Sequence, residues 1–360
     1  MHTTELLFFG GFIVFIVAIL LLDMLVIDRK AHEVSMKEAG TWTAVWVGLA
    51  LCFSVFLWFH GDMVHGIRTF ADLQEVSTRY AAHLQLNPDD FEASLTQYRH
   101  YMTISYISGY LIEKTLSVDN LFVMMMIFAS FGVSKKEYQH VLNWGILGAI
   151  VMRFVFIFAG AAIIERFQWI LLVFGVFLVY SGLKMLFKRE DNEQVDVERH
   201  PVVRLMSRVF RVYPKFHGDD FVVHARLNEA GETSVVKRGQ GGKLYITPLL
   251  VTVIFIEFSD LIFAFDSIPA VFSVSLDPYV VFFSNIFALL GLRSMFFLLA
   301  GVADRFRYLK TGVCVLLLFI GLKLLVHDFV EIGAVASLLF IVAVLVVSIV
   351  CSLAIPEKKQ

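Results

Sequence analysis

Nine apolar stretches recur along the 360 residues, at positions 6–27, 42–60, 102–131, 141–163, 168–187, 246–273, 279–300, 308–327 and 332–354. A helix of about 20 residues crosses the hydrocarbon core of a bilayer, and each stretch is near or beyond that length. Hydrophobic residues make up 58% of the chain and charged residues only 17%, the latter gathered mostly between the apolar stretches. Water cannot be the main solvent for such a sequence. The expected fold class is therefore an all-α polytopic membrane protein with about nine transmembrane helices. The first stretch follows Met-His-Thr-Thr-Glu, has no basic leader and is too long for a signal segment, so it reads as a retained helix.

The polar segments set the layout. Residues 1–60 hold two spans, 61–99 a polar insert, 100–188 three spans, 189–244 a hydrophilic loop, 245–327 three more spans, and 328–360 a last span with a tail. The insert reads as one or two short surface helices, with Asn87-Pro-Asp-Asp as a turn and cap. In the loop, Phe221-Val-Val-His-Ala-Arg and Thr233-Ser-Val-Val-Lys predict two short strands around a Gly-bearing turn. Arg29, Lys30 and Lys37, then Lys135 and Lys136, then Arg305, Arg307 and Lys310 fall on alternate connections. The bias of Lys and Arg toward the cytoplasm then puts the N-terminus outside and the C-terminus inside. Arg68, Arg79 and Arg99 in the insert run against this trend.

An internal duplication sharpens the architecture. Glu113-Lys-Thr-Leu-Ser-Val-Asp119-Asn120 aligns with Asp260-Leu-Ile-Phe-Ala-Phe-Asp266-Ser267, an acid six positions before an Asp that precedes a small polar residue. Asn143 and Arg153 correspond to Asn285 and Arg293. Glu165-Arg-Phe matches Asp304-Arg-Phe, and Gly182-Leu-Lys-Met-Leu matches Gly321-Leu-Lys-Leu-Leu at the same 17-residue spacing. Each copy holds three spans, an odd number, so the second must enter the membrane from the opposite side. Inverted repeats of this kind build secondary transporters, with the binding site near the midplane.

A carboxylate at the centre of a spanning helix costs roughly 2.5–3.5 kcal/mol on insertion scales. Here Glu113 and Asp119 share one span, Glu257, Asp260 and Asp266 another, and Asp23 lies near the end of the first. With Asn120 and Ser267 they form the candidate metal-ligating set. Its ligands are all hard oxygens, which suit Mn²⁺, Mg²⁺ or Ca²⁺ better than Zn²⁺ or Cu⁺. The bland alternative is a structural partnership, because Arg153 and Arg293 sit deep enough to demand an acid among Glu113, Glu257 and Asp260. Pro269 suggests a helix broken just after Asp266 and Ser267. The histidines fall in loops and at span ends, where solvated roles are expected, and Cys52, Cys314 and Cys351 read as packing residues.

The motifs from Glu113 to Val123, from Thr247-Pro-Leu through Glu257-Phe-Ser-Asp260 to Ala270, and Gly321-Leu-Lys-Leu-Leu resemble those of the TerC family of bacterial membrane proteins. The resemblance implies a LysE-like transporter fold and Mn²⁺ efflux across the cytoplasmic membrane. It also implies that the acids at 113, 119, 257, 260 and 266 form the ion path. The 61–99 insert is a departure from the short connection expected of the family.

The expected activity is therefore export of a divalent cation by a secondary transporter, with no enzymatic reaction and no resident cofactor. The sequence has no Gly-rich phosphate loop. Expelling a dication against a negative interior is opposed by about 2.3 kcal/mol per charge per 100 mV, which favours exchange for protons. A net charge of −2 without a basic stripe argues against nucleic-acid binding. The alternative is a membrane scaffold or metal-handling partner, without transport of its own, in tellurite or envelope stress resistance.

Overall fold

The computed structural model describes residues 3–22, 34–166, 169–187, 210–213, 216–227, 233–236, 242–300, 307–326, 332 and 334–354. Asp23 lies outside them, and the side chains of Asp119 and Asp266 also lie outside what is described. The helices are α1 (Thr3–Leu22), α2 (Met36–His60), α3 (Asp62–His65), α4 (Phe70–Tyr80), α5 (Phe91–Phe131), α6 (Tyr138–Arg166) and α7 (Ile170–Phe187). After the strands β1 (Val222–Leu227), β2 (Thr233–Val235) and β3 (Lys243–Ile246) come α8 (Pro248–Phe272), α9 (Pro278–Leu290), α10 (Leu292–Ala300), α11 (Arg307–Leu325) and α12 (Ala334–Ala354).

Four of these helices, α1, α2, α6 and α8, are long and apolar enough to cross a membrane, and α9 with α10 makes a fifth if the pair, bent by 43°, is one span. Helices also occupy the other four predicted stretches, as α5, α7, α11 and α12. At about 1.5 Å per residue the 41-residue α5 outruns any bilayer core, so it starts well before the predicted 102. Large apolar side chains such as Val14, Val55, Val151, Val155, Val176 and Val350 are more than half exposed. Lipid is the solvent that tolerates them; in water they would be an aggregation surface.

The core is built around α9, which is buried at every position. Its aromatic residues interlock with those of α1 and α2: Phe12 meets Phe283 at 4.4 Å between ring centres, Phe53 meets Phe287 at 4.8 Å, and Phe9 meets Tyr279 at 5.4 Å. Pro278 opens α9 at a position that needs no amide donor, behind Asp277, whose Oδ1 accepts from the Tyr279 amide at 2.9 Å. The break between α9 and α10 falls at Gly291, where an added Cβ would lie 2.7 Å from Lys114 Nζ and 3.2 Å from Trp46 Cβ. Lys114 Nζ donates to the Ala288 carbonyl (3.1 Å), which serves the backbone just ahead of that break.

No break occurs at Pro269, since α8 runs through it to Phe272. Pro269 sits in the last turn, where a proline costs one amide bond and the helix is about to end. The loop before α8 has the two expected strands, paired antiparallel with Ala225 opposite Val235, but a third, β3, joins the other edge of β1 in the order β2-β1-β3.

The insert folds as predicted into two short helices, and Asp90 caps α5 through a 3.0 Å bond to the Ala93 amide. Its arginines have local acids: Arg99 Nε pairs with Asp62 at 2.6 Å, while Arg68 and Arg79 line a cavity of about 260 Å³ together with Asp72 and Glu75. His65 departs from the expectation of solvated histidines. It is buried, with Nδ1 3.0 Å from Glu5 and Nε2 2.8 Å from Asp277, so it ties the start of α1 to the start of α9.

Burial pushes the His65 pKa down, but Asp277 and then Glu5 outweigh it and raise the value to about 9. A histidine whose folded pKa exceeds its free value of about 6.5 contributes stability below that value and loses it as pH rises through the folded pKa. The melting temperature in detergent is therefore expected to fall between pH 7 and 10, and His65→Gln to flatten that fall while lowering the pH 7 value. Parallel curves for the two proteins would show that His65 is not the titrating clasp.

Candidate functional site

Elements from the two segments whose motifs align in the sequence meet around one guanidinium. α5 and α8 lie side by side and present Glu113 and Asp260 to Arg153, which reaches in from α6; all three side chains are almost fully buried. Arg153 Nη1 donates to Glu113 Oε1 and to Asn285 Oδ1 (2.6 Å), and Nη2 donates to Asp260 Oδ1 (3.2 Å). Ser117 Oγ donates to the same Glu113 oxygen at 3.1 Å, and Asn120 Nδ2 donates to Asp260 Oδ1 at 2.6 Å. The expected acid–arginine partnership is thus found for Glu113 and Asp260, with Arg153 as the partner.

Among the described residues, several buried polar atoms of this network have no hydrogen-bond partner: Glu113 Oε2, Asn120 Oδ1 and Arg153 Nε. The Asn120 amide cannot be turned to relieve this. Its NH₂ group must face Asp260, since a carboxylate only accepts, so Oδ1 is left on the far side without a donor. A few steps along α8, Glu257 Oε1, Ser259 Oγ and Ser267 Oγ are also unpartnered, and the Glu257 carboxylate lies against Gly148 of α6, closer than any side chain there would permit. Buried acceptors without donors are rare in native proteins, and an ion is one of the few explanations for a group of them.

Of the eight predicted ligands, Glu113, Asn120 and Asp260 are brought together directly, and Glu257 and Ser267 lie on the same helix as Asp260. Asp119 and Asp266 belong to α5 and α8, each adjacent in sequence to one of these residues, but their side chains lie outside those described, as does Asp23 entirely. Among the described residues, no three Asp, Glu, His or Cys side chains converge as a metal centre. Sequence reasoning left Arg153, Asn285, Asn143 and Arg293 out of the site. Their signal was present in the duplication, and the structure shows what they do: Arg153 of α6 bonds Asn285 of α9, while Arg293 of α10 donates to Asn143 of α6.

A helical bundle with an apolar outer surface and a buried carboxylate–guanidinium centre defines a polytopic helical membrane protein. The family model described as "Integral membrane protein TerC family" matches residues 98–360, and the chain belongs to that family. It is 39% identical to the "Putative membrane-bound redox modulator Alx" of Salmonella typhi over 96% of this chain and 93% of the relative. It is 33% identical to the "Tellurium resistance protein TerC" of Serratia marcescens, over 97% and 94% of the two chains. With so little of the chain left over, the 61–99 insert falls within both matches, so it is no departure from these relatives. No solved structure matches the chain.

Proposed function

We propose that the chain is a secondary transporter that exports a divalent cation, Mn²⁺ first among the candidates, from the bacterial cytoplasm. The observation that carries this reading is the pair of donor-free oxygens, Glu113 Oε2 and Asn120 Oδ1, in a fully buried site that already holds two carboxylates. Hard oxygen ligands of this kind suit Mn²⁺, Ca²⁺ and Mg²⁺. Asp119 and Asp266, neighbours of Asn120 and Ser267 in sequence, would complete the set, with Glu257 along α8. The ion is cargo here and not a resident cofactor.

The architecture behind this reading is nine spans arranged as an inverted repeat. It is supported by the exchange of partners between the copies, in which the arginine of each bonds the asparagine of the other. Gly182 and Gly321 behave in the same reciprocal way, each turned toward the helix that carries the other. Two halves packed through equivalent contacts can rock against each other about a central site, which is how inverted repeats achieve alternating access. The proposed setting is the cytoplasmic membrane, N-terminus outside and C-terminus inside. Proton exchange is the proposed coupling, since carboxylates can carry either a metal or protons.

Inside-out vesicles holding the wild type are expected to accumulate Mn²⁺ when a pH gradient is imposed, and Asp119→Asn, Asp266→Asn and Asp260→Asn are expected to reduce uptake to background. Parallel assays with Ca²⁺ and Mg²⁺ rank the cargo. If no cation moves, or if the folded variants match the wild type, the carboxylates are structural and a scaffold role in tellurite or envelope stress resistance replaces the transporter.

A further inference from the structure

We propose that Arg153 is the chain's own exchangeable cation: its guanidinium offsets part of the charge of Glu113 and Asp260 while the site is empty, an arriving dication displaces it, and its return expels the ion. This role rests on the cation-transport reading and specifies how the empty and loaded states of that site differ. Two carboxylates from different repeats cannot both stay charged in a dry core without a positive partner. Arg153 supplies one, and it does so from the place a bound cation would take, between Glu113 Oε1 and Asp260 Oδ1.

The bonding is not that of a permanent structural pair. Arginine usually grips a carboxylate with two parallel N–H bonds. Here each carboxylate receives a single bond from the guanidinium, and among the described residues Nε has no acceptor and Glu113 Oε2 no donor. A half-satisfied network is a poor way to fix a core and a reasonable way to hold a side chain that must let go. The guanidinium also has somewhere to remain. Its Nη1 bonds Asn285 Oδ1 on α9, whose orientation is fixed from behind by Nδ2 donating to Val281 O at 2.9 Å. When a dication takes the carboxylates, Asn285 keeps the displaced arginine partnered on the opposite repeat.

Removing the internal competitor should then tighten binding while stopping release. With full-length protein in lipid nanodiscs, Mn²⁺ titrated alone and followed by its electron paramagnetic resonance signal, Arg153→Gln is expected to bind about tenfold tighter than wild type. In proteoliposomes the same variant is expected to lose transport. Arg153→Lys, whose single ammonium cannot fork between two carboxylates and an amide, is expected to tighten binding about threefold and to keep part of the transport. Binding by Arg153→Gln that equals or falls below wild type overturns the proposal. Should the Gln variant fail to fold, unchanged or weaker binding by the Lys variant overturns it. A wild type that transports Mn²⁺ beside a variant of unchanged affinity sinks the arginine's role alone, whereas a wild type that neither binds nor moves any divalent cation sinks the transport reading itself.

Discussion

Glu113→Gln is expected to lower the unfolding free energy by about 1.5–3 kcal/mol, the usual worth of a hydrogen bond to a charged group, and to abolish Mn²⁺ binding. The reason is the lost charge-assisted bond, since the Arg153–Asp260 pair that remains is balanced. Arg153 is fully buried, and without Glu113 it keeps Asp260 at 3.2 Å and Asn285 at 2.6 Å as its acceptors. The second replacement tests the cause: Arg153→Gln alone strands both carboxylates, whereas the double variant Glu113→Gln with Arg153→Gln strands only Asp260, so the double variant should be more stable than Arg153→Gln alone even though metal binding does not return. Equilibrium unfolding of the wild type, the two single variants and the double variant in one detergent gives the coupling energy directly. Strictly additive losses would mean that the two residues do not act as a pair.

The acids of this site were legible in the sequence because charge in an apolar helix is expensive and therefore conspicuous. Glu113 and Asp260 were found that way, Asn120 through its place beside Asp119, and the demand of Arg153 for an acidic partner followed from the same cost. Which acid it takes was not legible. Arg153 and Asp260 are 107 residues apart, and only the packing of α6 against α8 brings them together. The exchange of arginine–asparagine partners was half legible: the duplication showed that the pairs correspond, but not that each reaches into the other copy.

His65 shows the opposite limit. A lone histidine in a polar insert carries no sequence signal of burial, and its two carboxylate partners are 60 and 212 residues away. The helix break misled for a related reason. Proline is the loudest local punctuation, yet Pro269 falls where α8 is already ending. The bend falls at Gly291, whose missing side chain lets Lys114 and Trp46 approach; that requirement exists only in three dimensions. Helix lengths were legible to within about six residues except for α5, where polar residues hide eleven additional helical positions ahead of 102.

Gly321→Ala is expected to be the most damaging single-methyl change in the bundle, and far worse than Gly182→Ala at the matching position. A Cβ on Gly321 would lie 2.7 Å from Val179 Cγ2, 2.8 Å from the Val179 amide nitrogen and 2.9 Å from the Gly175 carbonyl oxygen. Two of those three atoms are backbone, which no rotamer change can move, so α7 and α11 must separate. On Gly182 the added carbon would meet Leu318 Cγ at 3.1 Å, with the Cys314 carbonyl oxygen and Leu317 Cβ at 3.2 Å, contacts that a shift of a few tenths of an ångström relieves. Overpacking of a well-packed interface typically costs about 1–3 kcal/mol and occasionally more; Gly321→Ala belongs at or above the top of that range and Gly182→Ala near the bottom. In lipid, small residues are what allow two helices to approach closely, so part of the cost should appear as weakened association of α7 with α11. Thermal unfolding of both variants in the same detergent measures the difference. Equal losses would mean that the interface yields as a unit, and that the duplication's two glycines are interchangeable despite their different surroundings.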